Sequence, residues 1–213
     1  MQRVRIGVLI SGGGTNLQSL IDETEKGNIN GEIVVVISDR VNAYGIKRAK
    51  AHGIKAIVID RKDYKDRISL INAFIDTLKE YDVDLVVLAG FLTILTKEFV
   101  EAYKNRIINV HPALIPAFCG EGFYGEKVHK AALDYGVKIS GATVHFVDED
   151  ADTGPIILQD SVPVMIDDTV KSLAARVLKV EHRILPEAVG LYCNGRLSIE
   201  GRKVRIKEGD DID

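Results

Sequence analysis

Cysteine is scarce in this chain: only Cys119 and Cys193 occur among its 213 residues. Two cysteines give no disulfide framework, so we expect a protein of a reducing compartment, the cytoplasm. No apolar run approaches the roughly 20 residues that a membrane-spanning helix needs, so no membrane partner is expected. The segment 1–10 is short and interrupted by Gly7, which argues against a signal peptide and favours a first strand.

An excess of positive charge is also lacking, because 28 basic and 31 acidic residues give a formal net charge of -3 at pH 7. We therefore expect no broad nucleic-acid-binding surface. The five histidines show no His-Glu-x-x-His spacing, and we expect no metal site. The content of 46% hydrophobic and 28% charged residues is ordinary for a soluble globular enzyme. The sequence leaves the oligomeric state open between a monomer and a homodimer.

The first half of the chain contains a regular alternation of apolar runs and helical periodicities. Strand-like runs occupy 5–10, 32–37, 56–59, 84–88 and 106–110, and helical spacing occupies 16–26, 43–52, 68–81 and 95–103. Strands buried on both faces and separated by helices pair in parallel. The helix over 68–81 is predicted to bury the stripe formed by Ile68, Ile71, Phe74, Ile75 and Leu78.

The pattern changes at residues 112–125, which are rich in proline and glycine and predict a long loop of the kind that is usually functional. Extended segments at 141–147 and 155–164 are joined by an acidic loop and can pair antiparallel. A long helix over 170–191 follows, and Pro186 should kink or divide it. The whole pattern predicts an α/β fold with a mixed, mostly parallel sheet, helices on both faces and a Rossmann-like N-terminal half.

A glycine-rich turn, Ser11-Gly12-Gly13-Gly14-Thr15-Asn16, connects the first predicted strand to the first predicted helix. Three glycines let the backbone approach an anion closely, and the helix N-terminus adds partial positive charge, so a phosphate monoester is the predicted ligand. No Gly-Lys-Ser/Thr follows as in a P-loop, and Leu17 stands where a dinucleotide fingerprint has its third glycine. A plain turn capped by Thr15 or Asn16 is the alternative interpretation.

Candidate catalytic side chains occur in Asn109-Val110-His111-Pro112 and at Asp152. Side chains at i and i+2 of a strand share one face, so Asn109 and His111 should point the same way. An amide can stabilise an oxyanion, an imidazole can carry a proton, and a carboxylate can raise the proton affinity of that imidazole. These parts suit the transfer of an acyl-type group between two amines. A strand end followed by a turn at Pro112 is the alternative interpretation.

These motifs together resemble the phosphoribosylglycinamide formyltransferase family. The resemblance is carried, in family order, by GGGTNLQ (12–18), VVLAGFL (86–92), NVHPALIP (109–116), TVHFV (143–147) and DTGPIILQ (152–159). It implies a formyltransferase fold and the transfer of a formyl group from the co-substrate 10-formyltetrahydrofolate to the amine of glycinamide ribonucleotide in purine synthesis, without a metal. The expected organisation is one domain over 1–213, with a phosphate-binding half at 1–110, a catalytic and folate-binding half at 111–200 and a frayed tail at 207–213.

The resemblance also implies a role for each matching residue. The substrate phosphate and ribose positions are Gly14, Thr15, Asn16 and Glu181. The catalytic trio is Asn109, His111 and Asp152. The folate-binding positions are Arg67, Leu92, Thr93, Ile94, Leu95, Asn109, Asp148, Glu149, Asp150, Ala151 and Asp152. The chain departs from the family at Cys119, where proline is common, and in a longer loop at 120–125.

Other functions remain open at this point. Methionyl-tRNA formyltransferase shares the Asn-x-His-Pro motif but adds a basic C-terminal domain, and formyltetrahydrofolate deformylase adds an N-terminal regulatory domain; we expect neither addition here. A non-catalytic protein that binds a phosphate ligand would need the glycine turn and could dispense with the trio. Among the other histidines, we interpret His145 as a buried structural or supporting residue and His129 as a surface or supporting one.

Overall fold

The computed structural model describes residues 3–208. The chain forms two compact units, and the boundary between them lies between Ile108 and Asn109. From residue 209 onward, the predicted tail at 207–213 lies outside the described residues. Strand β5 (Ile107–His111) runs through the division point and carries the Asn-x-His motif at its end. The two units are therefore described separately.

Strands and helices alternate in the first unit, as the sequence pattern predicts. They are β1 (Val4–Ile10), α1 (Thr15–Glu25), β2 (Gly31–Ser38), α2 (Tyr44–Ala51), β3 (Ala56–Val58), a 3-10 turn (Arg61–Asp63), α3 (Arg67–Glu80), β4 (Leu85–Leu88) and α4 (Lys97–Ala102). The strand order is β3-β2-β1-β4 and every one of these pairs is parallel. Parallel pairing brings the carboxyl ends of β1, β2 and β4 to one edge, where the glycine turn begins.

The apolar stripe of α3 shows where the pattern succeeds and where it fails. Residues 71, 74, 75 and 78 are buried as predicted, and Leu70 is buried with them. The prediction for Ile68 is wrong, because its side chain is 70% exposed. Ile68 lies in the first turn, directly after the Asp66 cap, and a helix end can extend past the core that the rest of its stripe covers.

The second unit contains antiparallel as well as parallel pairs. Its elements after β5 are α5 (Glu126–Tyr135), β6 (Ile139–Phe146), β7 (Ile156–Pro163), α6 (Val170–Cys193), β8 (Leu197–Glu200) and β9 (Lys203–Ile206). The order is β6-β7-β9-β8, with β6–β7 and β8–β9 antiparallel and β7–β9 parallel. The predicted α/β fold with a mixed, mostly parallel sheet is confirmed.

Helix α6 continues through Pro186, so of the two predicted effects of this proline, a kink or a division of the helix, the division is wrong. Thr169 begins the helix with a capping box in which its side chain accepts from Ser172 N. The inward face of α6 packs against β6 and β7, and Pro186 itself is buried in that face. Tertiary packing over six turns therefore outweighs the loss of one backbone hydrogen bond at the proline.

Candidate active site and anion-binding turn

The second unit brings the predicted trio together around one carboxylate. Asn109 Nδ2 lies 3.4 Å from Asp152 Oδ1, and His111 Nδ1 lies 3.4 Å from Asp152 Oδ2. Because Asn109 and His111 are two residues apart on β5, the strand directs both side chains to the same carboxylate. This is the shared face that the Asn-x-His alternation predicts.

Asp152 lies in the loop between β6 and β7 and adopts a left-handed backbone conformation, with φ of 58°. The loop turns back so tightly that a Cβ at Gly154 would collide with the Phe146 carbonyl oxygen. Gly120 N donates to Asp152 Oδ2 at 3.0 Å. Burial raises the pKa of Asp152, but His145, the charge of His111 and the Gly120 N–H outweigh it, and the net pKa lies below the ordinary value. Asp152 is therefore a fixed negative charge at neutral pH.

His111 is buried between two acceptors. Its Nε2 lies 2.9 Å from the Phe118 carbonyl oxygen and its Nδ1 faces Asp152, so only the imidazolium can donate to both. Burial opposes that form and lowers the pKa of His111, although Asp152 and the Phe118 carbonyl raise it. The predicted effect of Asp152 thus has the expected direction, but desolvation is larger, and the ring is mainly neutral at pH 7.

His145 is a buried and satisfied supporting residue, in agreement with the prediction. Its Nδ1 lies 2.7 Å from the Phe146 carbonyl oxygen, which can only accept, so Nδ1 carries a hydrogen. Its Nε2 lies 3.2 Å from Asn109 Nδ2 and 3.6 Å from Asp152 Oδ1. His145 therefore contacts two members of the trio and holds their side chains in place.

The proline- and glycine-rich loop at 112–125 supplies two backbone groups that the sequence did not reveal. The Phe118 carbonyl accepts from His111, and the Gly120 N–H donates to Asp152. The Phe118 ring packs edge-on against Phe123 and Tyr135, with centroids 6.4 and 6.0 Å apart. Backbone roles do not depend on side-chain type, so the only available signal was the length of the loop directly after His111.

His129 and Cys119, which the sequence marks less clearly as functional, also lie near this cluster. His129 on α5 is buried, so the surface interpretation is wrong, and no residue within 3–208 pairs with its Nδ1. Burial and the charge of His111 lower the pKa of His129. Cys119 donates to the Pro116 carbonyl at 3.3 Å, and burial and the charge of Asp152 raise the pKa of its thiol.

The first unit forms the glycine turn predicted to bind phosphate. Gly14 is the N-cap of α1, with φ of 70°, and a Cβ there would lie 2.6 Å from Gly45 Cα. Gly45 N donates to the Gly12 carbonyl at 3.1 Å. Within the described part of the chain, no acceptor pairs with the backbone N–H groups of residues 12–15. The turn therefore presents a row of donors at a helix N-terminus.

Segment 92–95 of the predicted folate site is held at three places in the same unit. The contacts are Leu92 N with Ser11 Oγ (2.8 Å), Thr93 Oγ1 with Asp39 Oδ2 (2.8 Å), and Arg67 Nη2 with the carbonyl oxygens of Ile94 (2.9 Å) and Leu95 (3.3 Å). The structure therefore brings Arg67 together with 92–95, as a common site requires. Leu92 and Ile94 remain 44% and 59% exposed.

The other predicted binding residues lie in the second unit. Glu181 is buried on the inward face of α6. Glu149, Asp150 and Ala151 are exposed at the tip of the β6–β7 loop. Asp148, in the same loop, accepts from Thr153 Oγ1 at 2.6 Å. Segment 148–152 thus carries four acidic residues on a loop that the Asp148–Thr153 contact helps to hold.

A protein-family model described as formyl transferase matches residues 4–189. The chain belongs to the formyl transferase family. It is 48% identical to the solved glycinamide ribonucleotide transformylase 1 of Symbiobacterium toebii, covering 97% of this chain and 95% of that one with a TM-score of 0.93. It is 40% identical to the chloroplastic phosphoribosylglycinamide formyltransferase of Arabidopsis thaliana over 92% of this chain and 68% of that protein. The Haemophilus influenzae phosphoribosylglycinamide formyltransferase is 39% identical over 92% of this chain and 90% of its own.

Membership in the family fixes the general chemistry, which is group transfer from a folate-derived formyl donor to a small-molecule substrate. Across residues 3–208, no three histidine, cysteine or acidic side chains are grouped so that they could hold a metal ion. None of the helices in that range has the length and apolar character needed to cross a bilayer.

Proposed function

We propose that this protein transfers the formyl group of 10-formyltetrahydrofolate to the primary amine of glycinamide ribonucleotide in purine biosynthesis. The products are formylglycinamide ribonucleotide and tetrahydrofolate. The carrying observation is that Asn109 and His111 reach the two oxygens of the Asp152 carboxylate. An amide donor, a buried imidazole and a fixed negative charge are together suited to an acyl transfer that passes through an oxyanion.

The ribonucleotide is proposed to bind through its phosphate and its ribose. Gly14, Thr15 and Asn16 provide the N-terminal turn of α1, whose N–H groups and partial positive charge favour a phosphate dianion. Glu181, a buried carboxylate, is suited to accept hydrogen bonds from the ribose hydroxyls. The charged phosphate would thus meet hydrogen-bond donors, and the neutral hydroxyls would meet a hydrogen-bond acceptor.

The folate is proposed to bind segment 92–95, Arg67, Asn109 and the loop at 148–152. Arg67 already donates to the carbonyls of Ile94 and Leu95, so it fixes the backbone that would meet the pterin ring. The exposed side chains of Leu92 and Ile94 offer apolar surface for a flat ring. The loop at 148–152 would bring Asp152 to the reacting atoms when it closes on the folate.

The reaction begins when the glycinamide amine attacks the formyl carbon, which forms a C–N bond and places negative charge on the formyl oxygen. Neutral His111 can take the proton that the amine loses, and the imidazolium so formed is stabilised by Asp152. The oxyanion is stabilised by the amide of Asn109 and by the positive charge of the His111 imidazolium, whose N–H groups face the Phe118 carbonyl and Asp152. The bond from the formyl carbon to the folate nitrogen then breaks, and that nitrogen receives the proton, directly or through a water held by Asp152.

This route is proposed to need no metal, since every proton and charge in it is handled by side chains. A monomer or a homodimer in the cytoplasm is the proposed state of the protein. Phosphoribosylglycinamide formyltransferase relatives from a bacterium and from a plant chloroplast support the proposed substrate pair.

A spectrophotometric formyl-transfer assay with 10-formyltetrahydrofolate tests the proposal. Formation of tetrahydrofolate only when glycinamide ribonucleotide is present would support the transferase. Product formed without the ribonucleotide would replace it with a hydrolase that deformylates the folate. Absence of product in both cases would overturn it in favour of a binding role.

A further inference from the structure

We propose that Arg48 is a positioning residue that holds the glycine turn in its phosphate-binding form. The inference rests on the proposed function, because it concerns the site suggested for the phosphate of the ribonucleotide. Arg48 lies on α2, outside the glycine motif, and nothing in its sequence position marks it. Its contacts show what it does to the turn.

The guanidinium of Arg48 joins the turn to the first helix. Nε donates to the Gly13 carbonyl at 2.9 Å, and Nη1 donates to Gln18 Oε1 at 3.1 Å. The same guanidinium lies over the Tyr44 ring, 5.2 Å from its centroid. A planar fork with one face on an aromatic ring and two edges on fixed acceptors has little freedom to move.

Two neighbouring carbonyls of the turn consequently point toward α2. Gly12 O accepts from Gly45 N, and Gly13 O accepts from Arg48 Nε. In a trans peptide the N–H points opposite to the carbonyl of the same unit. The N–H groups of Gly13 and Gly14 are therefore turned away from α2. These are two of the donors that find no acceptor among residues 3–208.

Backbone contacts fix only part of this arrangement. Gly14 and Gly45 are in direct contact, so the turn and α2 touch without an intervening side chain. The Gly45 hydrogen bond fixes only the first of the two peptides. If Arg48 were removed, the peptide between Gly13 and Gly14 could rotate and present its carbonyl oxygen to an incoming phosphate, which would repel it.

Steady-state kinetics of Arg48→Ala, Arg48→Lys and Lys50→Ala test this role. Arg48→Ala should raise KM for glycinamide ribonucleotide about tenfold, which corresponds to about 1.4 kcal/mol. KM for 10-formyltetrahydrofolate and kcat at saturation should stay within about twofold, because the catalytic cluster is unaltered. Arg48→Lys should also be impaired, since a point charge cannot donate along both edges of the fork. Lys50→Ala, on the exposed side of the same helix, should match the wild type.

Calorimetric titration with inorganic phosphate gives a readout that requires neither turnover nor the formyl acceptor. A Kd for phosphate that rises with Arg48→Ala in parallel with KM supports the proposal. An unchanged KM and Kd would overturn it, and so would an Arg48→Lys enzyme equal to the wild type, which would reduce the role to charge. An equal rise in both substrate KM values would indicate general loss of structure and also overturn it. If the wild type shows no transfer to glycinamide ribonucleotide, the proposed function fails while the phosphate measurement still tests Arg48.

Discussion

Replacing Asp152 with asparagine removes one charge from the centre of the catalytic cluster while keeping its shape. The amide oxygen that Asp152→Asn introduces can still accept from Gly120 N. The variant loses the negative charge 3.4 Å from His111 Nδ1, where the Asp152 and His111 side chains are only 15% and 5% exposed. It also places an NH2 group where Oδ1 accepts from Asn109 Nδ2, so the perturbation is local and mainly electrostatic.

The size of the effect follows from that distance and that burial. Two unit charges 3.4 Å apart interact by about 5 kcal/mol at an effective dielectric constant of about 20. Each 1.36 kcal/mol is about a factor of ten, so the imidazolium form of His111 should become less accessible by roughly three to four orders of magnitude. Since the proposed reaction passes through that form, kcat should fall by about 10³ to 10⁴.

The assay is formyl transfer under saturating substrates, with calorimetric titration of glycinamide ribonucleotide alongside. Asp152→Asn should bind the ribonucleotide almost as well as the wild type, because the proposed phosphate donors belong to α1. Asp134→Asn makes the same chemical change on the exposed surface of α5 and should leave kcat unaltered. A kcat for Asp152→Asn within about tenfold of the wild type would refute the assignment of His111 and Asp152 as a coupled pair.

Three further changes test other parts of the structure. Gly14→Ala puts a Cβ against Gly45 at a left-handed φ, so calorimetry should show glycinamide ribonucleotide binding weakened at least about tenfold, and unchanged affinity would contradict the proposed turn. Thr93→Val removes the donor to buried Asp39 and should lower the unfolding free energy by about 1–3 kcal/mol in denaturant titrations, whereas Thr93→Ser should not. In the folded state the pKa of His129 lies below its unfolded value of about 6.5, because burial and the charge of His111 outweigh the opposite effect of Glu126. The unfolded state therefore binds the proton more strongly. The free energy of unfolding should consequently fall as the pH drops below about 6.5. His129→Phe should reduce that slope by at most about 1.4 kcal/mol per pH unit; an unchanged slope would rule out His129 as a contributor.

The fold could be predicted from the sequence where burial alone decides the structure. Runs such as 5–10 and 84–88 are apolar throughout, and strands buried on both faces leave few alternatives to a parallel sheet. Prediction failed where the outcome depends on what lies next to an element. Ile68 has helical periodicity but no covering neighbour at its helix end, and Pro186 is tolerated because α6 packs against two strands.

At the candidate site, the sequence was sufficient to predict the placement of side chains on a strand but not the backbone contacts of the loops. The spacing of Asn109 and His111 was sufficient to predict a shared face, since the period of a strand is fixed. The Phe118 carbonyl, the Gly120 N–H and the Arg48 contact with the Gly13 carbonyl could not be predicted, because each depends on the path of a loop. The net pKa of His111 was also out of reach, since composition does not reveal how deeply a ring is buried.

The opposing effects at His111 explain how the cluster could favour a transition state over the bound substrates. Burial lowers the pKa of His111 and keeps it neutral at the start, while Asp152 keeps its charge. When the amine attacks, a second negative charge develops on the formyl oxygen, and the imidazolium then has two anions to stabilise it. The imidazolium is therefore stabilised more in the transition state, where the oxyanion exists, than in the complex with bound substrates. Only an interaction that is stronger in the transition state than in the bound state accelerates the chemical step. A more exposed His111 would be protonated on a larger fraction of the molecules, and those molecules could not take the amine proton, so burial raises the fraction of enzyme that is ready to react.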